Sequence, residues 1–262
     1  MAKTIARYGF SMLCLVVAFS VWSLDLTKGL LLNFTFDEAP GNVVKDLSGG
    51  KHDGTLLGGA KIATDVKKNG SGAIRIEAGQ QQMEVKTFAA LETYQDNTIA
   101  FWIYFPVPAS GGWDQILAKT APGSDRSPGL WVQTGGLGIH YRYNPGNLGF
   151  WGLGPDGDNS MFPQKEWFHV AGVTKGPELT GYVNGVKKAT IAVPAAMTQG
   201  AGGLYVGKSP AYPGPAANFV MDDLAFYNRA LTADEIAALK EGALLAVNPN
   251  GKLTTSWAML RR

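Results

Sequence analysis

The sequence predicts an all-β chain, a two-sheet antiparallel jelly-roll sandwich with one short C-terminal helix. Residues 167–193 carry the first sign. From Trp167 onward Trp167, His169, Ala171 and Val173 alternate with Phe168, Val170 and Gly172, the period of a strand with two faces. Lys175-Gly176-Pro177 turns that strand into a second at 179–183. Asn184-Gly185, the dipeptide of a type I′ hairpin, turns the second into a third at 186–193. The second sign is T-I-A-F-W-I-Y-F at 98–105, the strongest β-branched and aromatic run in the chain, stopped by Pro106 and Pro108. The third is composition: 34 Gly and 14 Pro, with 45% hydrophobic and 17% charged residues over 262 positions, suit one large β domain with Gly-rich turns. A single helix is signalled, where Thr232 and Glu235 form a capping box ahead of Ile236 and Leu239 and Gly242 ends the segment.

The remaining elements follow in chain order. L-L-L-N-F-T-F at 30–36 places Leu32, Phe34 and Phe36 on one buried face. Turns at 37–41 and 46–50 precede a short strand at 55–57, and further strands are expected at 73–77 and 83–86. Beyond the strand at 98–105, candidates at 115–119, 129–133, 137–143 and 148–151 are separated by long Gly-, Pro- and Asp-containing loops. Strands at 203–207 and 218–227 flank a Pro-rich loop at 212–215. Past the helix lies a C-terminal tail, residues 242–262, in which Asn248-Pro249-Asn250-Gly251 introduces a polar stretch with no packing face other than Trp257.

The first 23 residues read as an export signal: Lys3 and Arg7 form a basic start, 9–21 is a short apolar run, and Ser20 or Ser23 offers a small cleavage residue. A retained membrane anchor is the competing reading. Cleavage would leave no membrane span and place the protein outside the cytoplasm: extracellular, periplasmic or on the cell surface. The sole cysteine, Cys14, lies in that run, so the mature chain has none. Loss of residues 1–23 takes away Lys3 and Arg7 and no acid, changing 23 Lys+Arg against 21 Asp+Glu to 21 against 21. With no Lys/Arg block longer than a dipeptide, nucleic acid is excluded as a partner.

Six segments in a fixed order resemble the LamG-like jelly roll of the concanavalin A-like lectin/glucanase superfamily, as found in single modules of exported bacterial proteins. They are L-L-N-F-T-F-D-E at 31–38, D-L-S-G-G-K-H-D-G-T-L at 46–56, T-I-A-F-W-I at 98–103, W-F-H-V-A-G-V at 167–173, G-Y-V-N-G-V at 181–186 and M-D-D-L-A-F-Y-N-R-A-L-T-A-D-E-I at 221–236. The resemblance covers about residues 29–241 and implies two facing sheets with the first strand beside the last. It also implies a structural Ca²⁺ joining those strands, with Asp222 as ligand and Asp37 as a second. The alternative for these acids is a turn cap at Asp37 and a salt bridge from Asp223 to Arg229.

Glycosidases that share this sandwich carry E-x-D-x-E or E-x-D-x-x-E on one strand, and neither pattern occurs here. H-E-x-x-H and G-x-S-x-G are absent as well. The string G-x-G-x-x-G at 152–157 has no helix pattern after it, and Asp156, Asp158 and Ser160 start a calcium-like loop that lacks its Gly and Glu, so a surface acidic turn is expected. His169 is expected to be a hydrogen-bonded sheet histidine. Trp131, Tyr141, Tyr143 and Trp151, with His140 and Arg142, form the local enrichment that sugar-binding faces use: flat apolar rings beside a few polar contacts. The first functional reading is therefore a non-catalytic module for a glycan or another cell-surface polymer. A protein-binding adhesion or scaffold domain is the second, and a hydrolase with a dispersed carboxylate pair the third.

Overall fold

The computed structural model describes residues 24–38 and 41–245; the expected export signal and the tail from residue 246 lie outside them. In chain order the strands are β1 (Leu30–Phe34), β2 (Val43–Val44), β3 (Gly54–Leu57), β4 (Lys61–Ala63), β5 (Ala73–Gly79), β6 (Gln82–Val85), β7 (Asn97–Tyr104) and β8 (Asp114–Lys119). They continue as β9 (Gly129–Val132), β10 (Ile139–Tyr143), β11 (Leu148–Leu153), β12 (Trp167–Lys175), β13 (Glu178–Val183), β14 (Val186–Ala192), β15 (Leu204–Gly207) and β16 (Ala216–Tyr227). The helix α1 spans Ala233–Lys240. Beyond the expected elements, the described residues add the short strands β2 and β4 and a 3-10 turn at Ala89–Glu92.

One layer is ordered β14-β13-β12-β7-β16, with β1 and β5 also on β16 and β4 beyond β5; the other runs β11-β10-β9-β8-β15-β6-β3-β2. A single parallel pairing, Ala216 with Gln115, joins the layers through β16 and β8. The core between them holds Phe34, Phe101, Val170 and Phe226 from one layer and Leu130, Tyr141, Phe150 and Val206 from the other. The expected pairing of first and last strands is present as β1 against β16, with Phe34 opposite Leu224.

The hairpin chemistry appears as the sequence implies. Asn184 (φ 52°) and Gly185 (φ 78°) both hold the positive φ of a type I′ turn between β13 and β14. The capping box is complete, with Glu235 N–H donating to Thr232 Oγ1 (3.2 Å) and Thr232 N–H to Glu235 Oε2 (2.8 Å). Gly242 (φ 76°) follows the last helical turn in the left-handed conformation.

α1 covers the outer face of the first layer. There Ala100, Ala171 and Ala225 sit side by side across β7, β12 and β16, a flat floor that lets Ile236 and Leu239 pack close. Leu26 and Leu244 join this second core, so the packing reaches beyond residues 29–241 at both ends. Tyr227 Oη secures the segment ahead of β1 by donating to Leu26 O (3.0 Å).

Arg229 pairs with Glu235 (2.7 Å) and not with Asp223, because the helix start brings a carboxylate into line with both guanidinium Nη atoms. Asp37 caps a remote segment instead of its own turn, accepting N–H of Ser71 (2.5 Å) and Gly72 (3.2 Å). His169 is buried in the sheet, yet its Nδ1 has no hydrogen-bond partner, so its ring is not the bonded one expected.

Candidate functional site

Period-2 alternation on β9, β10 and β11 sends one set of side chains into the core and the other out of the second layer. Leu130, Ile139, Tyr141, Tyr143 and Phe150 face the core, whereas Trp131, His140 and Trp151 form the floor of a cavity of about 220 Å³. The pairing of His140 with Trp131 across β10 and β9 places these two rings side by side. Loops raise the walls: Trp113 ahead of β8, Arg126 ahead of β9, Asn147 in the β10–β11 turn and Tyr212 from the Pro-rich loop.

The rings support one another in tilted and edge-to-face contacts. Trp113 lies 4.6 Å from His140 and 5.5 Å from Trp151, and Tyr212 lies 5.7 Å from Trp131 (centroid distances). Gly129 makes the floor possible, since a Cβ there would come within 2.0 Å of the Trp131 ring lying back over it. Trp151 is the accessible platform, 46% exposed, whereas Trp131 is buried and its indole N–H has no partner.

The electrostatics are set by His140 and two arginines. His140 Nδ1 is 2.9 Å from Trp151 O, and since a carbonyl only accepts, Nδ1 carries the proton and Nε2 is left as an acceptor. Burial, reinforced by the charges of Arg142 and Arg126, pushes the ring down to about 4 against the pull of that hydrogen bond, so His140 is neutral at pH 7. The Arg126 guanidinium lies over Trp131 (4.7 Å) and the Arg142 guanidinium over Trp151 (5.5 Å).

Of the sequence-derived site residues, Trp131, His140 and Trp151 come together and Arg142 borders them. Tyr141 and Tyr143 do not: both are fully buried, on the opposite face of β10, and Tyr143 Oη donates to Asn97 Oδ1 (2.8 Å) beneath Thr174. Trp113, Arg126, Asn147 and Tyr212 were missed. Trp113 and Tyr212 stand alone in Gly- and Pro-rich loops, and an isolated aromatic in such a loop is the one signal that could have flagged them.

The Asp222–Asp223 pair lies at a bulge in β16. Asp222 Oδ2 accepts N–H of Lys68 (2.9 Å) and Asn69 (3.0 Å), and its Oδ1 accepts N–H of Asp223 (3.0 Å). Burial, and then the neighbouring Asp223 carboxylate, raise Asp222 to about 7, while burial raises Asp223 to about 6. As placed, Asp222 does not fit the expected calcium ligand. Both oxygens already accept N–H donors, whose positive ends oppose a cation. The acidic turn after β11 is held by its own bonds, Asp158 Oδ1 accepting Gly152 N–H (2.9 Å) and Ser160 Oγ donating to Gly157 O (2.8 Å).

Among solved structures the chain is similar to the binding domain of Paraclostridial Mosquitocidal Protein 1, with a TM-score of 0.62 at 14% identity over 85% of this chain and 54% of that one. It is similar to domain 4 of AbnA, a GH43 extracellular arabinanase from Geobacillus stearothermophilus in complex with arabinotriose (TM-score 0.56, 18% identity, 80% of this chain and 98% of that one). It is also similar to Trypanosoma rangeli sialidase in complex with sialic acid (TM-score 0.59, 16% identity, 83% of this chain and 33% of that one). At such identities the likeness is one of fold. The chain spans about half of the first of these proteins and a third of the sialidase. No curated protein sequence matches it. A family model described as the concanavalin A-like lectin/glucanases superfamily matches residues 77–237, more than half of the chain and from β5 into α1, and the chain belongs to that laminin G-type family.

Proposed function

We propose that this protein is a non-catalytic binding module whose ligand is a glycan or another cell-surface polymer, held at the cavity on the outer face of β9, β10 and β11. The observation that carries the reading is the preassembled aromatic floor, with Trp151 accessible beside the neutral acceptor His140. An indole face stacks on the C–H face of a sugar, while His140 Nε2 and Asn147 offer polar contacts for hydroxyls. The residues lining the cavity include no Asp or Glu, whereas glycoside hydrolysis by the usual route needs two, which supports binding over turnover. The arabinotriose complex of AbnA domain 4 supports a sugar ligand on this fold.

The proposal includes export through residues 1–23, and no described helix is long and apolar enough to cross a membrane. A glycan-array screen of the protein lacking residues 1–23, with and without added Ca²⁺, tests ligand class and any metal dependence together. Binding that disappears in Trp151→Ala is the expected result. Retention of binding by both Trp151→Ala and Trp113→Ala in a folded protein would move the site elsewhere.

A further inference from the structure

The cavity is unevenly equipped with charge. Its lining contains one cation, Arg126, and no carboxylate. Arg142, on the same face of β10 as His140, brings a second guanidinium over Trp151. Among the described residues Arg142 makes no ion pair; its Nη1 donates to Asn147 O (2.6 Å), and no hydrogen bond engages its Nη2. Arg126 is held through Nη1 alone, by Asp125 Oδ1 at 2.5 Å, which likewise leaves Nη2 unengaged. Nε of both arginines and the indole N–H of Trp131 are further donors without an acceptor.

The carboxylates nearby lie outside the lining and have partners there, Asp125 bonding Arg126 and Asp158 the Gly152 N–H. The charges of Arg142 and Arg126 both act on the His140 ring, in the direction that disfavours its protonation. An aromatic cage can also receive a quaternary ammonium ion. Here Arg126 already covers the Trp131 face and no lining acid would balance a second cation, so that ligand class is disfavoured.

Building on the binding reading above, we infer that the cavity selects a saccharide residue carrying an oxyanion, carboxylate or sulfate, with Trp151 against the ring and Arg142 and Arg126 on the charged group. A guanidinium meets a planar carboxylate or a sulfate edge with parallel N–H donors, a geometry that a lysine cannot reproduce. The volume of about 220 Å³ lies below the ~300–1,000 Å³ of drug-sized sites, so one ring of a polymer is admitted. The formal net charge of the whole chain is only +2, so selection for an anion would arise from this site and not from the protein at large.

The experiment measures binding of the protein lacking residues 1–23 to polygalacturonate, alginate and hyaluronan, to the same polymers with carboxylates reduced to alcohols, and to dextran against dextran sulfate. At least tenfold tighter binding of one or more charged forms is expected, with the preference falling as salt rises. Arg142→Gln should remove most of that preference and Arg142→Lys restore part of it, while Trp151→Ala weakens charged and neutral forms alike. The carboxylate and sulfate arms separate the two sources of the oxyanion. Equal binding of charged and reduced polymers, still dependent on Trp151, overturns this inference and leaves the binding-module reading standing. Binding to none of the polymers overturns the inference, and absence of any hit on the array then overturns that reading too. Polyanion binding unchanged by Arg142→Gln and Trp151→Ala overturns it as well, by placing the anion outside the cavity.

Discussion

Gly172 of β12 lies directly against the ring of Tyr141 of β10: a Cβ at residue 172 would sit 2.2 Å from Tyr141 Cε1. The two residues belong to opposite layers, so this contact fixes the spacing of the sandwich at its centre. Glycine is required here for room and not for a special backbone angle. Gly172→Ala must push the layers apart or displace Tyr141, and should cost about 1–3 kcal/mol of stability, read as a lower urea midpoint with the cavity's ligand binding retained in the folded fraction. An unchanged midpoint would mean that the layers are not packed this closely.

The two faces of β10 give opposite mutant signatures. Trp151→Ala should reduce affinity on the order of tenfold or more while leaving the melting temperature nearly unaltered, because that ring is 46% exposed. Tyr143→Phe should do the reverse, leaving Asn97 Oδ1 without its donor at a cost of about 1–3 kcal/mol with ligand binding intact. Loss of binding in a stable Tyr143→Phe protein would contradict this division.

His140 and His169 are both held down to about 4, in each case chiefly by burial. With folded values below the unfolded 6.5, the unfolded chain takes up protons first as pH falls. Their contribution to stability is therefore complete above pH 6.5 and is lost as pH falls through 4. The raised values of Asp222 and Asp223 act in the opposite sense between about 4 and 7, so the melting profile alone averages the two effects. NMR resolves them: the Cε1 protons of His140 and His169 should show no titration between pH 8 and 5.5. A midpoint near 6.5 for either ring would show it to be solvated.

Asp222 is placed to clamp the Lys68–Asn69 segment to β16 through N–H donors from residues far away in sequence. Asp222→Ala leaves those donors unpaired at about 1–3 kcal/mol each for the buried ones. The melting temperature of the native protein is expected to be equal in EDTA and in millimolar Ca²⁺, and Asp222→Ala to lower it by the same amount in both. A rise of several degrees with Ca²⁺ in the native protein, absent in the variant, would restore the ion at this bulge.

Local chemistry determined most of the fold. A type I′ hairpin needs positive φ at both central residues, and Asn184-Gly185 announces it from the sequence. Thr232 and Glu235 cap the helix by bonds that span only three residues. Strand alternation, a property of the backbone, sets His140 and Arg142 on one face of β10 and Tyr141 and Tyr143 on the other. It did not say which pair faces out, since both pairs mix polar and apolar atoms, and the whole run 140–143 was read as one surface. Only the facing layer decided that, when Gly172 of β12 made room for Tyr141 and the opposite side of β10 was left to solvent. The cavity walls were equally out of reach. Trp113 and Tyr212 meet the floor through pairings of strands remote in sequence, and no local pattern records which loops those pairings bring together. The same holds for Arg229, whose partner was set by where α1 begins to pack and not by the charges of the preceding strand β16.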